Sequence, residues 1–304
     1  MTKIEIKNSL NGEVIFANEC DGNTIAITVQ EAVKQKVSLC SADLSSADLS
    51  SAFLRNADLR SADLSSAFLR NADLCYADLS SAVLRNADLS SAVLSSADLR
   101  NADLSYTVLR NADLRNADLR NADLRNAVLC YADLSSAVLC SAVLRNADLS
   151  SADLSYAVLS SADLRNADLC YADLRNADLR SAVLCSAVLR NAENIPHIHM
   201  ACPTDGPFIG WKRIKGYLIQ LDIPSDAKRS SATSNKCRCD KAMVLSITNI
   251  KNGESINKID NDEYAHTEYV VGQMVYPDRW DENRFNECSH GIHFFIDKQD
   301  AIDY

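Results

Sequence analysis

RNADLRNADLRNADLRNAVL, residues 110–129, repeats one five-residue word four times with a single change. Leucine occupies every fifth position from Leu39 to Leu189, and alanine stands two residues before it almost throughout. An α-helix turns by about 100° per residue, so leucines at this spacing would point in all directions. A straight strand alternates its faces, so an odd repeat would place successive leucines on opposite sides. Neither element keeps the leucines together.

The remaining solution is a short extended segment followed by a bend, so that the chain coils around its leucines. Ala112 and Leu114 have strand spacing and face the same side, whereas Asp113 faces the other. Arg115 and Asn116 then form the corner, where Asn and Ser are favoured. The sequence predicts a coil with Ala and Leu inside and three outward positions in each word.

The word A(D/N)LXX resembles that of the pentapeptide-repeat proteins, and the matching words cover about half of the chain. The fold of that family is a right-handed quadrilateral β-helix with four words in each coil. The resemblance therefore implies a square solenoid, whereas the periodicity alone predicts only that the chain coils.

The segment before the repeats, residues 1–36, predicts a hairpin and a helix. Isoleucines alternate with charged residues before the turn signal Asn11-Gly12, and an apolar run follows it. Thr28 and Glu31 fit a capping box at the start of a helix. An open β-helix end would expose a sheet edge. We expect this segment to cap the repeats, which occupy residues 37–192.

Residues 193–304 form a separate domain by composition, because Trp, Pro and His are concentrated there. Apolar runs predict strands at 217–223, 242–250 and 269–275, and a short helix begins near Asp297. KRSSATSNKCRCDKAMVLSI and the closing WDENRFNECSHGIHFFIDKQDAIDY resemble an uncharacterised C-terminal domain found on some bacterial and phage pentapeptide-repeat proteins. The predicted fold is mainly β: a right-handed quadrilateral β-helix with an N-terminal hairpin-helix cap and a C-terminal α/β domain.

The composition and the first residues of the sequence indicate where in the cell the protein is expected. MTKIEIKNSLNG has no apolar run behind a basic segment, and no stretch of about 18 apolar residues could span a bilayer. We expect a soluble, cytoplasmic protein without membrane contact, whose eleven cysteines are mostly free thiols. Six cysteines follow a repeat leucine, at an outward corner, and no two are twenty residues apart, which argues against a ladder of disulfides or metals: Cys40, Cys75, Cys130, Cys140, Cys170 and Cys185.

The charge of the repeats bears on one function that the resemblance implies. Some pentapeptide-repeat proteins mimic DNA in width and charge and protect DNA gyrase from fluoroquinolones. The net charge here is −10, but residues 37–192 contain 19 Asp and 14 Arg, and pairs such as Asp113 and Arg115 neutralise each other. Words with Ser in place of Arg predict an acidic N-terminal patch: Asp43, Asp48, Asp63, Asp78, Asp88 and Asp103. A DNA-mimicking inhibitor or protector of a type II topoisomerase is therefore an alternative hypothesis, and direct nucleic-acid binding is not expected.

The outward position before the leucine is sometimes apolar. With twenty residues in a coil, Val138 and Val158 would stack and Val143 would lie on the next face. A contiguous apolar patch often marks a contact with another chain, here a homodimer, although β-branched residues also suit any strand surface. Other apolar residues at this position are Phe53, Phe68, Val108, Val128, Val183 and Val188.

The best chemical cluster of the C-terminal domain is Cys237 and Cys239 followed by Cys288, His290 and His293. Thiolates and imidazoles are the ligands of structural zinc, but this spacing is weak evidence, and His293 among apolar residues is typical of a core histidine. An enzyme would use Cys288 as nucleophile and a histidine as base. The leading hypothesis is a non-enzymatic structural and interaction scaffold without cofactor, whose protein partner is unknown; a metal-binding or catalytic C-terminal domain is the alternative.

Overall fold

A computed structural model describes residues 1–196, 201–231, 235–261, 267–282, 284 and 289–304. The chain divides into two compact units, Met1–His197 and Ile198–Tyr304. The first unit contains β1 (Thr2–Asn8), β2 (Val14–Cys20), α1 (Ile25–Lys34) and β3 (Ala42–Asp43). The second contains β4 (Phe208–Ile214), β5 (Tyr217–Ile223), β6 (Arg229–Ser231), β7 (Lys236–Cys239), β8 (Ala242–Asn249), β9 (Lys258–Asn261), β10 (Thr267–Val270), β11 (Met274–Val275), β12 (Ile292–Phe295) and α2 (Lys298–Asp303). In the part of the chain that the structure describes, neither helix has the length and apolar content needed to cross a membrane.

The N-terminal segment is the predicted hairpin and helix, but the helix begins earlier than predicted. Strands β1 and β2 pair antiparallel, and Thr24 caps α1 by accepting a hydrogen bond from Ile27 N at 3.2 Å. The prediction of Thr28 as the cap was wrong. Thr28 lies buried within the helix, where its hydroxyl donates to Asn23 Oδ1 at 3.0 Å. Thr24 offers the same capping chemistry one turn earlier, which leaves Thr28 free to pack.

The hairpin and helix contact the first coil of the repeats. Strand β1 pairs antiparallel with β3 through Lys7 and Asn8. From α1, the Gln30 side-chain oxygen accepts a hydrogen bond from Phe53 N at 2.8 Å. Backbone groups at the start of the solenoid therefore have partners, which is how a sheet edge is kept from pairing with other chains.

The repeats form a β-helix with four words in each coil. Parallel bridges join residues twenty apart, from Asp43 with Asp63 to Asp173 with Glu193. Within a ladder, Leu119 N donates to Val138 O at 2.7 Å and Val138 N to Ala117 O at 2.9 Å. Neighbouring coils are thus about 4.8 Å apart, the spacing of paired strands. The quadrilateral solenoid implied by the family resemblance is confirmed.

Each corner is a β-turn with a left-handed residue. Ala122 N donates to Leu119 O at 3.0 Å, and between them Asn121 has a φ of 58°. The same positive φ recurs at the second corner residue of the other words. Asn tolerates this conformation better than other non-glycine residues, which explains its recurrence after Arg.

Alanine and leucine fill the interior as predicted. Ala117 and Leu119 have no exposed surface, and the same holds nearly throughout the repeats. Thr107 replaces an alanine without leaving a polar atom unpaired, because its hydroxyl donates to Leu104 O at 2.6 Å. Each buried leucine contributes roughly 1.5–3 kcal/mol before the entropy of folding is counted.

The C-terminal unit is built on a seven-stranded antiparallel sheet with the order β11-β8-β5-β4-β12-β7-β6, beside the two-stranded pair β9 and β10. Two predicted strands match β5 and β8, whereas the run 269–275 is divided between β10 and β11 by a turn at Gly272, whose φ is 79°. Asp297 caps α2 through Gln299 N and Asp300 N. The six-residue helix leaves the domain predominantly β.

The two faces of this sheet differ. Cys237, Cys239 and Phe294 lie on the face that forms the core, together with Ile219 and Leu221. Close packing there requires glycine at 210, because a Cβ atom would lie 2.6 Å from the Phe294 ring. The opposite face carries α2, whose Ile302 carbonyl accepts a hydrogen bond from Arg213 at 2.7 Å.

Candidate interaction surface

The outward residues of the repeats stack in four columns, one on each face of the solenoid. Face 1 contains positions 43 to 183 in steps of twenty, face 2 positions 48 to 188, face 3 positions 53 to 193 and face 4 positions 58 to 178. Each outward residue is followed by the leucine and then by two corner residues, which we call the first and second corner positions. The surface chemistry is set by the outward residue and these two positions.

Aspartate and arginine of one word form the predicted ion pairs. Arg115 Nε donates to Asp113 Oδ1 at 2.8 Å, and Arg165 makes the same contact with Asp163. In the word of Asp58, hydrogen bonds from Arg60 and Ser38 hold the pKa of the carboxyl at about 2 despite its partial burial. The charges of these words are therefore neutralised locally.

A second ion pair joins neighbouring coils, and sequence analysis missed it. An arginine contacts the aspartate eighteen residues later, as in Arg70 with Asp88 at 3.0 Å. The spacing follows from the twenty-residue coil, because residue i + 18 is the outward residue of the same face one coil on. The other pairs are Arg55–Asp73, Arg60–Asp78, Arg85–Asp103, Arg100–Asp118, Arg115–Asp133 and Arg145–Asp163.

These contacts correct the predicted acidic N-terminal patch. Asp78, Asp88 and Asp103, whose own words lack arginine, each have an arginine from the preceding coil within 4 Å. Among the residues described, six repeat aspartates have no Lys or Arg within that distance. They form two groups of three, an early group of Asp43, Asp48 and Asp63 and a later group of Asp148, Asp153 and Asp168.

The later group lies on a part of the surface whose own first corner positions carry no arginine, although Arg115 reaches Asp133 at its edge. Between residues 126 and 174, the first corner position on faces 2, 3 and 4 is always Cys or Ser, whereas face 1 keeps Arg145 and Arg165. We call these three faces over residues 126–174 the arginine-free surface. Its first corner residues are Cys130, Ser135, Cys140, Ser150, Ser155, Ser160 and Cys170.

Three exposed tyrosines lie at the corners of the arginine-free surface. Tyr131 and Tyr171 stand two coils apart at one corner and are 63% and 57% exposed, and Tyr156 is 56% exposed at the next corner. All three have a positive φ near 60°, a conformation in which a bulky side chain is disfavoured.

The cysteines of the repeats are more buried than predicted. Cys75, Cys130, Cys170 and Cys185 have at most 7% of their surface exposed, so the assignment of these four to an outward corner was wrong. Most Cys and Ser side chains at the first corner position are buried or partly exposed, whereas nearly all arginines there are exposed. Cys75 Sγ lies 3.1 Å from Ser95 Oγ of the next coil.

The valine patch has the predicted stacking. Val138 and Val158 form a parallel bridge on face 4, and Val143 lies on face 1 between Asp123 and Asp163. All three valines are partly exposed. The valine pair belongs to the arginine-free surface, whereas Val143 stands beside ion-paired aspartates. The surface therefore combines valines, tyrosines and unpaired carboxylates.

The candidate zinc ligands of the C-terminal domain occupy different environments. Cys237 and Cys239 point into the core from β7, and His293 lies on the other face of β12, opposite Arg238. His290 Nδ1 is 3.2 Å from Asp278 in an exposed position. Cys288 lies outside the described residues. Over the described part of the chain, no three His, Cys, Asp or Glu side chains converge in a way that would hold a metal.

The pKa values of both strand cysteines are raised, although the largest cause differs between them. The pKa of the Cys239 thiol is raised, chiefly by burial. The pKa of Cys237 is also raised, by a hydrogen bond with Cys202 and by burial. Both thiols therefore stay protonated near neutral pH, and none of the ten cysteines that the structure describes forms a disulfide.

Square coils, alanine and leucine inside and a left-handed corner in every word define a pentapeptide-repeat solenoid. The family model "Pentapeptide repeats" matches segments that together span residues 38–193, so the chain belongs to the pentapeptide-repeat family. Residues 198–301 match a "Family of unknown function (DUF5758)". The chain is thus a pentapeptide-repeat protein with a C-terminal domain of that second family.

Solved structures similar to this chain are themselves pentapeptide-repeat proteins. HetL, involved in heterocyst differentiation regulation in the cyanobacterium Nostoc sp. strain PCC 7120, is 37% identical, with 52% of this chain and 80% of HetL covered and a TM-score of 0.30. Rfr23 from the cyanobacterium Cyanothece 51142 is 34% identical, with coverages of 32% and 61% and a TM-score of 0.28. QnrB1, a plasmid-mediated fluoroquinolone resistance protein, is 24% identical, with coverages of 49% and 72% and a TM-score of 0.38. No curated protein matches this chain.

Proposed function

We propose that this protein is a non-enzymatic, cytoplasmic interaction scaffold that binds a positively charged protein partner through its arginine-free surface. The observation that carries the proposal is the grouping of three unpaired carboxylates, Asp148, Asp153 and Asp168, with exposed tyrosines on one part of the rod. Tyrosine is enriched among the residues that dominate binding energy at interfaces. Among the residues described, each of the three carboxylates accepts a hydrogen bond only from the Ser or Cys two residues later, with no arginine or lysine beside it, and such a carboxylate keeps a negative charge that attracts a basic surface.

The rest of the rod supports this assignment by contrast. Elsewhere most aspartates have an arginine partner, which leaves little charge for a partner to recognise. On face 1, beside the arginine-free surface, Asn126, Asn146 and Asn166 form a ladder of side-chain hydrogen bonds at 3.1 and 3.2 Å. Amides that are paired with each other suit a solvated face. Binding is therefore assigned to faces 2 to 4.

The proposal is tested by site-specific photo-crosslinking in cells. A photoreactive phenylalanine analogue is placed at Tyr131 or Tyr171, and at Tyr76 as the matched control, which is also an exposed corner tyrosine. We expect the same protein to crosslink from positions 131 and 171 but not from 76. That crosslink should disappear when Asp148 and Asp168 are both changed to Arg. Equal crosslinking from all three positions would contradict a defined surface.

DNA mimicry would require a different distribution of charge along the repeats. It needs negative charge along the whole length, whereas the ion pairs within and between coils leave two separate acidic groups. A gyrase supercoiling assay with and without a fluoroquinolone distinguishes the two functions. We expect the protein neither to inhibit gyrase nor to protect it from the drug. This should hold even at concentrations high enough to saturate the partner found by crosslinking. Protection that is lost on changing Asp148 and Asp168 to Arg would establish the topoisomerase function instead.

A further inference from the structure

The core of the C-terminal domain contains two buried thiols that belong to the same cluster, Cys202 and Cys237. Both are buried, and neither takes part in the proposed function of the repeat surface. We propose that Cys202 and Cys237 are a peroxide-reactive dithiol pair that closes reversibly to an intramolecular disulfide. The proposal goes beyond the scaffold function, and neither depends on the other.

Backbone geometry places the two thiols together. Ser231 of β6 is directly opposite Cys237 of β7 in the antiparallel register. The Ser231 hydroxyl oxygen accepts a hydrogen bond from Ala201 N at 2.6 Å, which fixes the residue before Cys202 beside this strand pair. A disulfide needs Cβ atoms about 3.5–4.5 Å apart. Because Ser231 contacts Ala201 and lies opposite Cys237, a small movement within the core brings the two thiols to that distance.

A positive charge without a carboxylate partner lies near Cys202. The Arg229 guanidinium donates hydrogen bonds to five backbone carbonyls at 2.8–3.2 Å and lies 5.1 Å from the centre of the Phe208 ring. In the described regions, no Asp or Glu lies within 4 Å of it. The carbonyls belong to Pro203, Gly206, Pro224, Ser225 and Ala227. Because none of these groups is an anion, Arg229 favours a thiolate at Cys202.

The two thiols differ in acidity in the way that a reactive pair requires. Hydrogen bonding from Cys237 lowers the pKa of Cys202 to about 7 against the effect of burial, with further help from Ser231 and Arg229. The pKa of Cys237 is raised. A thiolate is the nucleophilic form of cysteine, so Cys202 attacks first and Cys237 acts second.

The chemistry balances with hydrogen peroxide as the oxidant. The Cys202 thiolate attacks one peroxide oxygen, which forms sulfenic acid at Cys202 and releases hydroxide, and the hydroxide takes up a proton to become water. The Cys237 sulfur then attacks the sulfenic sulfur. The S–S bond forms, and the sulfenic hydroxyl leaves with the Cys237 proton as a second water. The pair gives two electrons to the peroxide, and a small dithiol returns them by thiol–disulfide exchange.

The test uses the reduced full-length protein and hydrogen peroxide, which is small enough to reach a buried thiol. After treatment the protein is denatured in an alkylating reagent, digested and analysed by mass spectrometry. We expect one linked peptide pair, Cys202 with Cys237, that disappears on adding dithiothreitol. Cys237→Ser should instead accumulate sulfenic acid at Cys202, trapped with dimedone.

Cys239→Ser is the matched control, because Cys239 is as buried as Cys237 and lies in the same strand. This variant should keep the Cys202–Cys237 link. Tryptophan fluorescence shows that the domain stays folded during treatment, since Trp211 and Trp280 both lie in this unit. Full alkylation of Cys202 after peroxide, or a link that forms only in unfolded protein, would overturn the proposal.

Discussion

Arg145 Nε lies 2.5 Å from Asp163 Oδ2, although the two residues are eighteen positions apart. Asp163 also accepts hydrogen bonds from Arg165 of its own word. One carboxylate thus joins two consecutive coils through two arginines. Exposed pairs of this kind contribute only about 0–1 kcal/mol each. Their repetition nevertheless determines which parts of the rod keep a net charge.

The paired aspartates predict that the repeat domain loses stability in acid. Burial raises the pKa of Asp163, but hydrogen bonds from Arg165 and Arg145 outweigh it, and the folded pKa is about 2. Asp58 also has a pKa of about 2. Because both folded values lie below the ordinary 3.8, these carboxylates stabilise the fold above pH 3.8, and the contribution is lost as the pH falls to about 2.

Urea denaturation between pH 7 and pH 2, followed by far-UV circular dichroism, measures this loss. Asp163→Asn is the control variant, because it cannot gain or lose the proton. We expect the free energy of unfolding of this variant to fall less steeply in the acid range than that of the original protein. Identical slopes would show that the Asp163 pairs do not contribute. Tryptophan fluorescence reports the C-terminal domain separately.

Leu119→Ala tests the assignment of the interior. Leu119 is fully buried between adjacent coils, so removing its side chain should cost about 2–5 kcal/mol of unfolding free energy. Arg115→Ala removes only exposed pairs with Asp113 and Asp133 and should leave the free energy of unfolding nearly unchanged. Urea denaturation monitored by circular dichroism compares the two variants. Equal midpoints would contradict the inward and outward positions.

Asn121→Val tests the left-handed corner. Asn121 has a φ of 58°, where a β-branched residue is strongly disfavoured, so we expect a loss of about 1–2 kcal/mol. The same substitution at Arg120, whose φ is not positive, serves as the control and should change stability by less. Asn121→Gly should preserve stability to within about 1 kcal/mol. If valine were tolerated equally at both positions, the corner would not be conformationally restricted.

The solenoid was predictable from sequence because its period leaves only a coiling chain. The number of words per coil, four, came from the family resemblance. Bridges between residues twenty apart, such as Asp98 with Asp118, confirm it. The pairing of Arg145 with Asp163 was not predicted, since it requires the twenty-residue coil to be applied to both charges. The pair of Cys202 and Cys237 was also missed. Those thiols are 35 residues apart in sequence and meet only through sheet pairing.

Metal content is the next expectation to measure, by native mass spectrometry of protein purified without chelator or affinity metal. Because Cys237 and Cys239 point into the core and keep their protons, we expect the mass of the metal-free chain. Zinc that is bound by the original protein and lost in Cys239→Ser would contradict this expectation. It would then identify Cys239 as a ligand and direct attention to Cys288.

The stacked valines predict a change in self-association when they become charged. Changing Val138 and Val158 together to Asp places two carboxylates on face 4 and should weaken a homodimer formed through that patch. Val108 and Val128 form an equivalent stacked pair on face 2, so the same double change there is a matched control. Neighbouring aspartates already occur at Asp98 and Asp118, so the fold should accept either variant. Sedimentation velocity over a range of concentrations measures the dimer fraction. A dimer that is weakened equally by both variants, or not at all by the change at Val138 and Val158, would remove this patch as a contact between copies of the chain.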